Sequence, residues 1–145
     1  MKRMIISLSF IAFVFFAFGS VLSENDSEKI HAAVKEFVKS ADKQDVNSMD
    51  KIMHKEFRTV ANQLFGAPEV SVINKSSYLA MMKEGKLGGD SRKVKIEEIE
   101  VIGKNAVVKA TFTGKKLIFQ TFVQLVKGPD GEWKVISDMP VIQKV

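Results

Sequence analysis

The sequence predicts one α+β domain, with helices first and a mainly antiparallel sheet last. Three observations carry this reading. Apolar residues between Ile30 and Ala41 recur at intervals of three and four, the spacing of one helical face. After Gly89 the interval changes to two and stays there almost to the end of the chain, the spacing of half-buried strands. At 145 residues, the chain holds one ordinary core and not two comfortable ones. A composition of 46% hydrophobic and 27% charged residues, with only 3 prolines and 9 glycines, excludes disordered and collagen-like chains. The absence of cysteine excludes disulfides, thiol nucleophiles and cysteine-ligated metals.

Residues 1–23 have the three parts of a secretory signal: Lys2 and Arg3, an apolar run from Met4 to Phe18 broken only by Ser7 and Ser9, and small residues before the cut. The run is shorter than the ~20 residues of a membrane-spanning helix. Cleavage after Ser23 puts Val21 and Ser23 at the recognition positions, and Ala17 with Gly19 offers a second site. Loss of Lys2 and Arg3 lowers the formal charge from +5 to +3. The expectation is therefore a signal over 1–23, a working domain over 24–145, and a periplasmic or secreted location, where a cysteine-free chain fits an oxidising compartment.

A helix is expected over Glu28 to Asp42, capped by Asp26 or Ser27, with Ile30, Ala33, Val34, Phe37, Val38 and Ala41 facing the core. Asn47 or Ser48 caps a second, short helix whose Met49, Ile52 and Met53 share a face and which ends near His54. Phe57 to Val60 and Val70 to Ile73 read as a loose hairpin or two edge pieces, separated by Gly66 and Pro68. Asn74 caps a third helix over Lys75 to Lys83, which Gly85, Gly88 and Gly89 end. Four strands follow: Val94 to Ile102 with a bulge at Glu97 and Glu98, Ala106 to Phe112, Leu117 to Lys127, and Trp133 to Ile142. Gly103-Lys104-Asn105 and Gly128-Pro129-Asp130-Gly131 supply the turns.

This order, and particular stretches within it, resemble the nuclear transport factor 2-like superfamily, in its SnoaL-like and lumazine-binding branch. Met53-His54-Lys55-Glu56-Phe57, Lys75-Ser76-Ser77-Tyr78-Leu79, Gly103-Lys104-Asn105-Ala106-Val107-Val108 and Asp130-Gly131-Glu132-Trp133-Lys134-Val135-Ile136 carry the resemblance, which covers Ser27 to Ile142. It implies a cone in which three helices close a curved sheet over a pocket, and a homodimer through the outer face of the sheet. Enzymatic members use a tyrosine and carboxylic acids, or paired histidines with an aspartate. Here the only tyrosine is Tyr78, on the third helix and not the first, and the histidines are His31 and His54. The familiar catalytic pattern is not matched.

The candidate ligand-binding groups are Arg58, His54, Tyr78 and Asp138; Asp138 and His54 are the candidate acid or base groups. His54, at the expected end of the second helix, either interacts with the helix dipole or converges with Arg58 on an anionic or carbonyl-bearing ligand. Tyr78 suits a pocket wall or the core. Asp138, among apolar residues of the last strand, pairs with a base such as Arg58, titrates with a raised pKa, or faces solvent. Gln120 and Gln124 bracket Phe122 on either a ligand face or the dimer face, and Asn62 is a pocket or turn residue. His31 falls outside the apolar stripe and reads as exposed.

The glycine-rich stretch Gly85 to Gly89 follows a helix instead of opening one and reads as a flexible helix exit, not a phosphate loop. Lys83, Lys86, Arg92, Lys93 and Lys95 lack interleaved aromatics and read as a solvated rim near the pocket mouth. No metal or cofactor is expected, and no nucleic-acid or membrane partner once the signal is removed. The expected function is that of an exported domain binding a small, partly apolar molecule. The alternatives are an enzyme of the cyclase, isomerase or dehydratase kind using Asp138 or His54, and a protein-interaction domain with a filled core.

Overall fold

The computed structural model describes residues 23–145. The expected export signal lies outside the described residues except for Ser23. Three helices pack on one face of a six-stranded sheet, the α+β arrangement the sequence predicts.

Helix α1 (Glu24–Lys43) begins earlier than expected because Ser23 is its cap, accepting a hydrogen bond from the Asp26 N–H at 3.1 Å. Asp26, released from capping, reaches across the domain. Its carboxylate accepts from Lys127 Nζ at 2.7 Å and Trp133 Nε1 at 3.0 Å, and these bonds hold its pKa below the usual carboxylate value. Ile30, Ala33, Val34, Phe37, Val38 and Ala41 form the buried stripe, as their spacing predicts. The helix ends at Gln44, which takes a left-handed conformation, and the Asp45 N–H donates to Ser40 O at 2.9 Å.

Helix α2 (Val46–Ile52) is capped by Asp45, not by Asn47 or Ser48; Asp45 accepts from the Ser48 N–H at 3.0 Å. Met53 opens strand β1 (Met53–Asn62), so His54 stands in a strand and not at a helix terminus. Strand β2 (Val70–Asn74) pairs antiparallel with β1, as the hairpin reading requires. Asn74 caps helix α3 (Lys75–Lys83), as expected, by accepting from the Ser77 N–H at 2.9 Å. Lys75 then locks α3 to the α2–β1 junction, pairing with the Asp50 carboxylate at 2.9 Å and donating to Met53 O at 3.1 Å.

The remaining strands are β3 (Lys93–Ile102), β4 (Asn105–Thr113), β5 (Leu117–Lys127) and β6 (Trp133–Lys144). Across the sheet the order is β2-β1-β6-β5-β4-β3, antiparallel except between β1 and β6. The expected bulge in β3 falls between Ile96 and Glu98.

A second register shift was not legible. Leu125 pairs with Val135, yet Gln124 pairs with Ser137, leaving Ile136 as the extra residue in β6. Strict alternation from Val135 would turn Ser137 toward the helices and Asp138 away. The bulge reverses that parity, so Asp138 pairs with inward-facing Val123. The inner face, with Ala106, Val108, Ala110, Phe112, Val123, Leu125 and Val135, buries against α1, Met49 and Met82. Gln120, Phe122, Gln124, Met139 and Val141 lie on the opposite, exposed face.

Candidate functional site

The inner sheet face is apolar except near its centre, where three adjacent strands bring a carboxylate and two hydroxyls together. Thr121 of β5 donates a hydrogen bond to Asp138 of β6, both buried. Thr59 of β1 pairs in register with Asp138, and its buried Oγ1 has no hydrogen-bond partner among the described residues. Burial raises the pKa of Asp138 from 3.8 to about 6; the Thr121 bond and the Arg92 charge pull the other way without cancelling it.

Tyr78 of α3 packs against the same core. Its ring packs against Phe37 (5.8 Å separates Phe37 from Phe57) at 6.4 Å and meets Phe57 edge-on at 5.6 Å between centroids. Tyr78 is partly buried and lines the cleft described below. Desolvation raises its pKa above the usual phenol value, the Asp138 charge adds to the rise, and Arg92 opposes it.

Beyond Tyr78 the cone opens at the end where α1 finishes. A cleft of about 520 Å³ lies there, with Tyr78, Phe119, Leu117, Ile142, Leu64 and Phe65 among its apolar walls. Its rim is braced. Arg92 Nε pairs with Asp42 Oδ1 at 2.6 Å, the Arg92 backbone N–H donates to Asp42 Oδ2 at 2.8 Å, and the guanidinium stacks 5.1 Å above the Phe119 ring. Asp90 accepts from the N–H groups of Ser91 at 2.7 Å and Lys115 at 3.2 Å, joining the α3–β3 loop to the β4–β5 turn. These bonds hold the Asp90 pKa below the usual value. The stretch Gly85 to Gly89 is also tied down: Gly89 N–H donates to Ala41 O at 3.1 Å and Gln44 Nε2 to Leu87 O at 3.0 Å.

Of the four sequence candidates, Tyr78 and Asp138 belong to the helix-covered side of the sheet, Asp138 on its inner face and Tyr78 packed against the core. Arg58 is exposed and pairs in register with Ser137, one residue out of phase with Asp138, so it lies on the outer face and does not pair with Asp138. His54 is partly buried in β1, where its Nδ1 accepts from the Glu56 N–H at 3.2 Å; the contact is local and does not join Asp138. Asp138 therefore neither faces solvent nor pairs with Arg58. Gln120 and Asn62 line a separate depression on the outer face, with Phe122 and Met139. His31 is partly buried on α1 and not fully exposed. Sequence reasoning missed Thr121, Thr59, Asp42 and Phe119. Thr121 and Thr59 carried a signal, as hydroxyls in phase with Phe119, Val123 and Leu125 and with Phe57 and Ala61. Among the described residues no group of three or more His, Asp or Glu side chains is placed to hold a metal. No described helix is long and apolar enough to cross a membrane.

Three helices on one face of a six-stranded, mostly antiparallel sheet of this order define the nuclear transport factor 2-like class. Within it, residues 25–139 match the family described as "Putative lumazine-binding", and the chain belongs to that family. Similar solved structures include an NTF2-like protein of unknown function from Silicibacter pomeroyi, 15% identical, covering 85% of this chain and 100% of that one with a TM-score of 0.72. Another, from Shewanella baltica, is 14% identical over 85% of this chain and 98% of its own, also with a TM-score of 0.72. A ketosteroid isomerase-like protein from Erwinia carotovora atroseptica is 13% identical over 84% of this chain and 98% of its own, with a TM-score of 0.65. At these identities the likeness establishes the fold alone. No curated protein matches the chain.

Proposed function

We propose that this chain is an exported domain that binds a small, partly apolar molecule in the cleft at the open end of the cone. The observation that carries the reading is the cleft itself: about 520 Å³, walled by Tyr78, Phe119 and Ile142, inside the range of small-molecule sites. The braced rim supports it, because a preformed site spends little free energy on ordering when the ligand arrives. The family description, which names a lumazine, points to the same class of partner. Of the two expected cleavage sites, the cut after Gly19 keeps the Ser23 cap of α1. A cut after Ser23 removes it and leaves an ammonium group at a helix N-terminus, where the dipole disfavours positive charge. The apolar outer face, where Phe122, Met139 and Val141 are 47%, 51% and 59% exposed, supports a homodimer through the sheet.

A second reading, proton-transfer catalysis, is favoured by one observation. Asp138, buried on the inner face of the sheet and bonded to Thr121, has a pKa near 6, suited to an acid or base at neutral pH. His54 has no comparable setting.

A thermal-shift screen of the mature domain tests binding, since a ligand at 100 times its Kd stabilises by about 2.7 kcal/mol. Hits should weaken in Tyr78→Phe and Phe119→Ala. Hits that shift those variants as much as the wild type would place the site elsewhere, and a screen without hits would favour a protein-interaction domain. Sedimentation of the cleaved protein tests the dimer, and a concentration-independent monomer would sink it.

A further inference from the structure

We infer that the ligand is a flat apolar molecule carrying an anionic group, its body between Tyr78 and Phe65 and its charge at the lysines of the β4–β5 turn. This inference rests on the cleft reading and names the chemical class the cleft selects. The cleft lining is lopsided in charge: Lys86, Arg92, Lys115 and Lys116 stand against the single acid Asp90. These cations are not equivalent. Arg92 is matched by Asp42 at 2.6 Å, and Lys86 pairs with Glu84 at 2.6 Å. Lys115 and Lys116 are exposed, and neither ammonium forms an ion pair among the described residues. Asp90 is one carboxylate beside two unpaired lysines, and its Oδ1 already accepts two backbone N–H groups. The cleft mouth therefore presents positive charge that an anion can complete.

A second observation specifies the body. Phe65 is 65% exposed at the cleft and sits in the left-handed region at φ 52°, a conformation rare for a bulky residue. Such strain marks segments whose geometry is imposed by their surroundings and often used by ligands. Here the imposed turn leaves an exposed aromatic ring on the lining of the cleft that Tyr78 and Phe119 also line. A flat molecule fits between aromatic faces better than a branched one.

The test uses 2-naphthoate and its neutral amide, 2-naphthamide, titrated into the ¹⁵N-labelled mature domain, with amide shifts at Gly88, Gly89 and Leu117 reporting the cleft. The acid should bind about tenfold tighter than the amide, the scale of one or two partly solvated ion pairs. The preference should shrink at 1 M salt, where the screening length is about 3 Å, and in Lys115→Gln/Lys116→Gln. Lys104→Gln, in the turn between β3 and β4 and outside the cleft lining, should keep the wild-type preference. Phe65→Ser should weaken both probes. Equal affinity for acid and amide, or a preference untouched by the lysine substitutions, would overturn the anion assignment and leave the cleft reading standing. Failure of both probes to move the cleft amides would overturn this inference, while the cleft reading stands or falls separately by the thermal-shift screen and its Tyr78→Phe and Phe119→Ala variants.

Discussion

Asp138→Asn removes a buried charge while keeping an oxygen that accepts the Thr121 hydrogen bond. In the folded chain the carboxyl titrates at about 6 and in the unfolded chain near 3.8. The folded state thus holds this proton more tightly, and its contribution to stability is greatest below pH ~4 and is lost as pH rises to ~6. Integrated over that interval, the ionised carboxylate costs the fold on the order of 3 kcal/mol at neutral pH. The asparagine variant has no such loss. It should match the wild type near pH 3.5 and exceed it by about 1–3 kcal/mol above pH 7. Urea unfolding of both proteins at half-unit steps from pH 3.5 to 8 measures the difference. Asp26, Asp45 and Asp90, whose pKa values are lowered by hydrogen bonds, contribute the opposite slope to both proteins and cancel on subtraction. A difference constant across this range, or one in which the wild type gains on the variant as pH rises, would refute the account of Asp138 as a desolvated acid.

Arg92→Met should destabilise the domain by about 3–5 kcal/mol in the same assay, because Asp42, only 12% exposed, is left charged without its partner; adding Asp42→Asn should recover part of the loss. Gly88→Ala should cost about 2 kcal/mol or more, since the residue sits at φ +80° and an added Cβ overlaps the Ala41 carbonyl oxygen; an unchanged unfolding midpoint would contradict that packing. Asp26→Asn should lower the thermal midpoint at pH 7 and change Trp133 fluorescence. The depressed pKa of Asp26 stabilises the fold above pH 3.8 and loses its effect as pH falls below it, so the gap between the two proteins should narrow on acidification.

The helices and strands were legible because their periodicities are local. The buried stripe of α1 and the alternation of β4 follow directly from residue order, as does the Asn74 cap of α3. Helix starts were misjudged where several capping residues compete. Ser23, Asp26 and Ser27 are all chemically suited, and the choice fell to Ser23 because Asp26 finds Lys127 and Trp133, 101 and 107 residues away. For the same reason Arg58 was a reasonable partner for Asp138 by type and an impossible one by register.

Residue order by itself determined the class of fold, the apolar character of its core and the lack of thiol chemistry. The tertiary structure decided the rest. A single extra residue in β6, visible only in its pairing with β5, turns Asp138 inward and raises its pKa. The packing of α1 against the α3–β3 loop brings Asp42 to Arg92 and opens the cleft beside them. Parity across a bulge and contacts between distant segments are properties of paired strands and packed layers, and no local stretch of sequence encodes them alone.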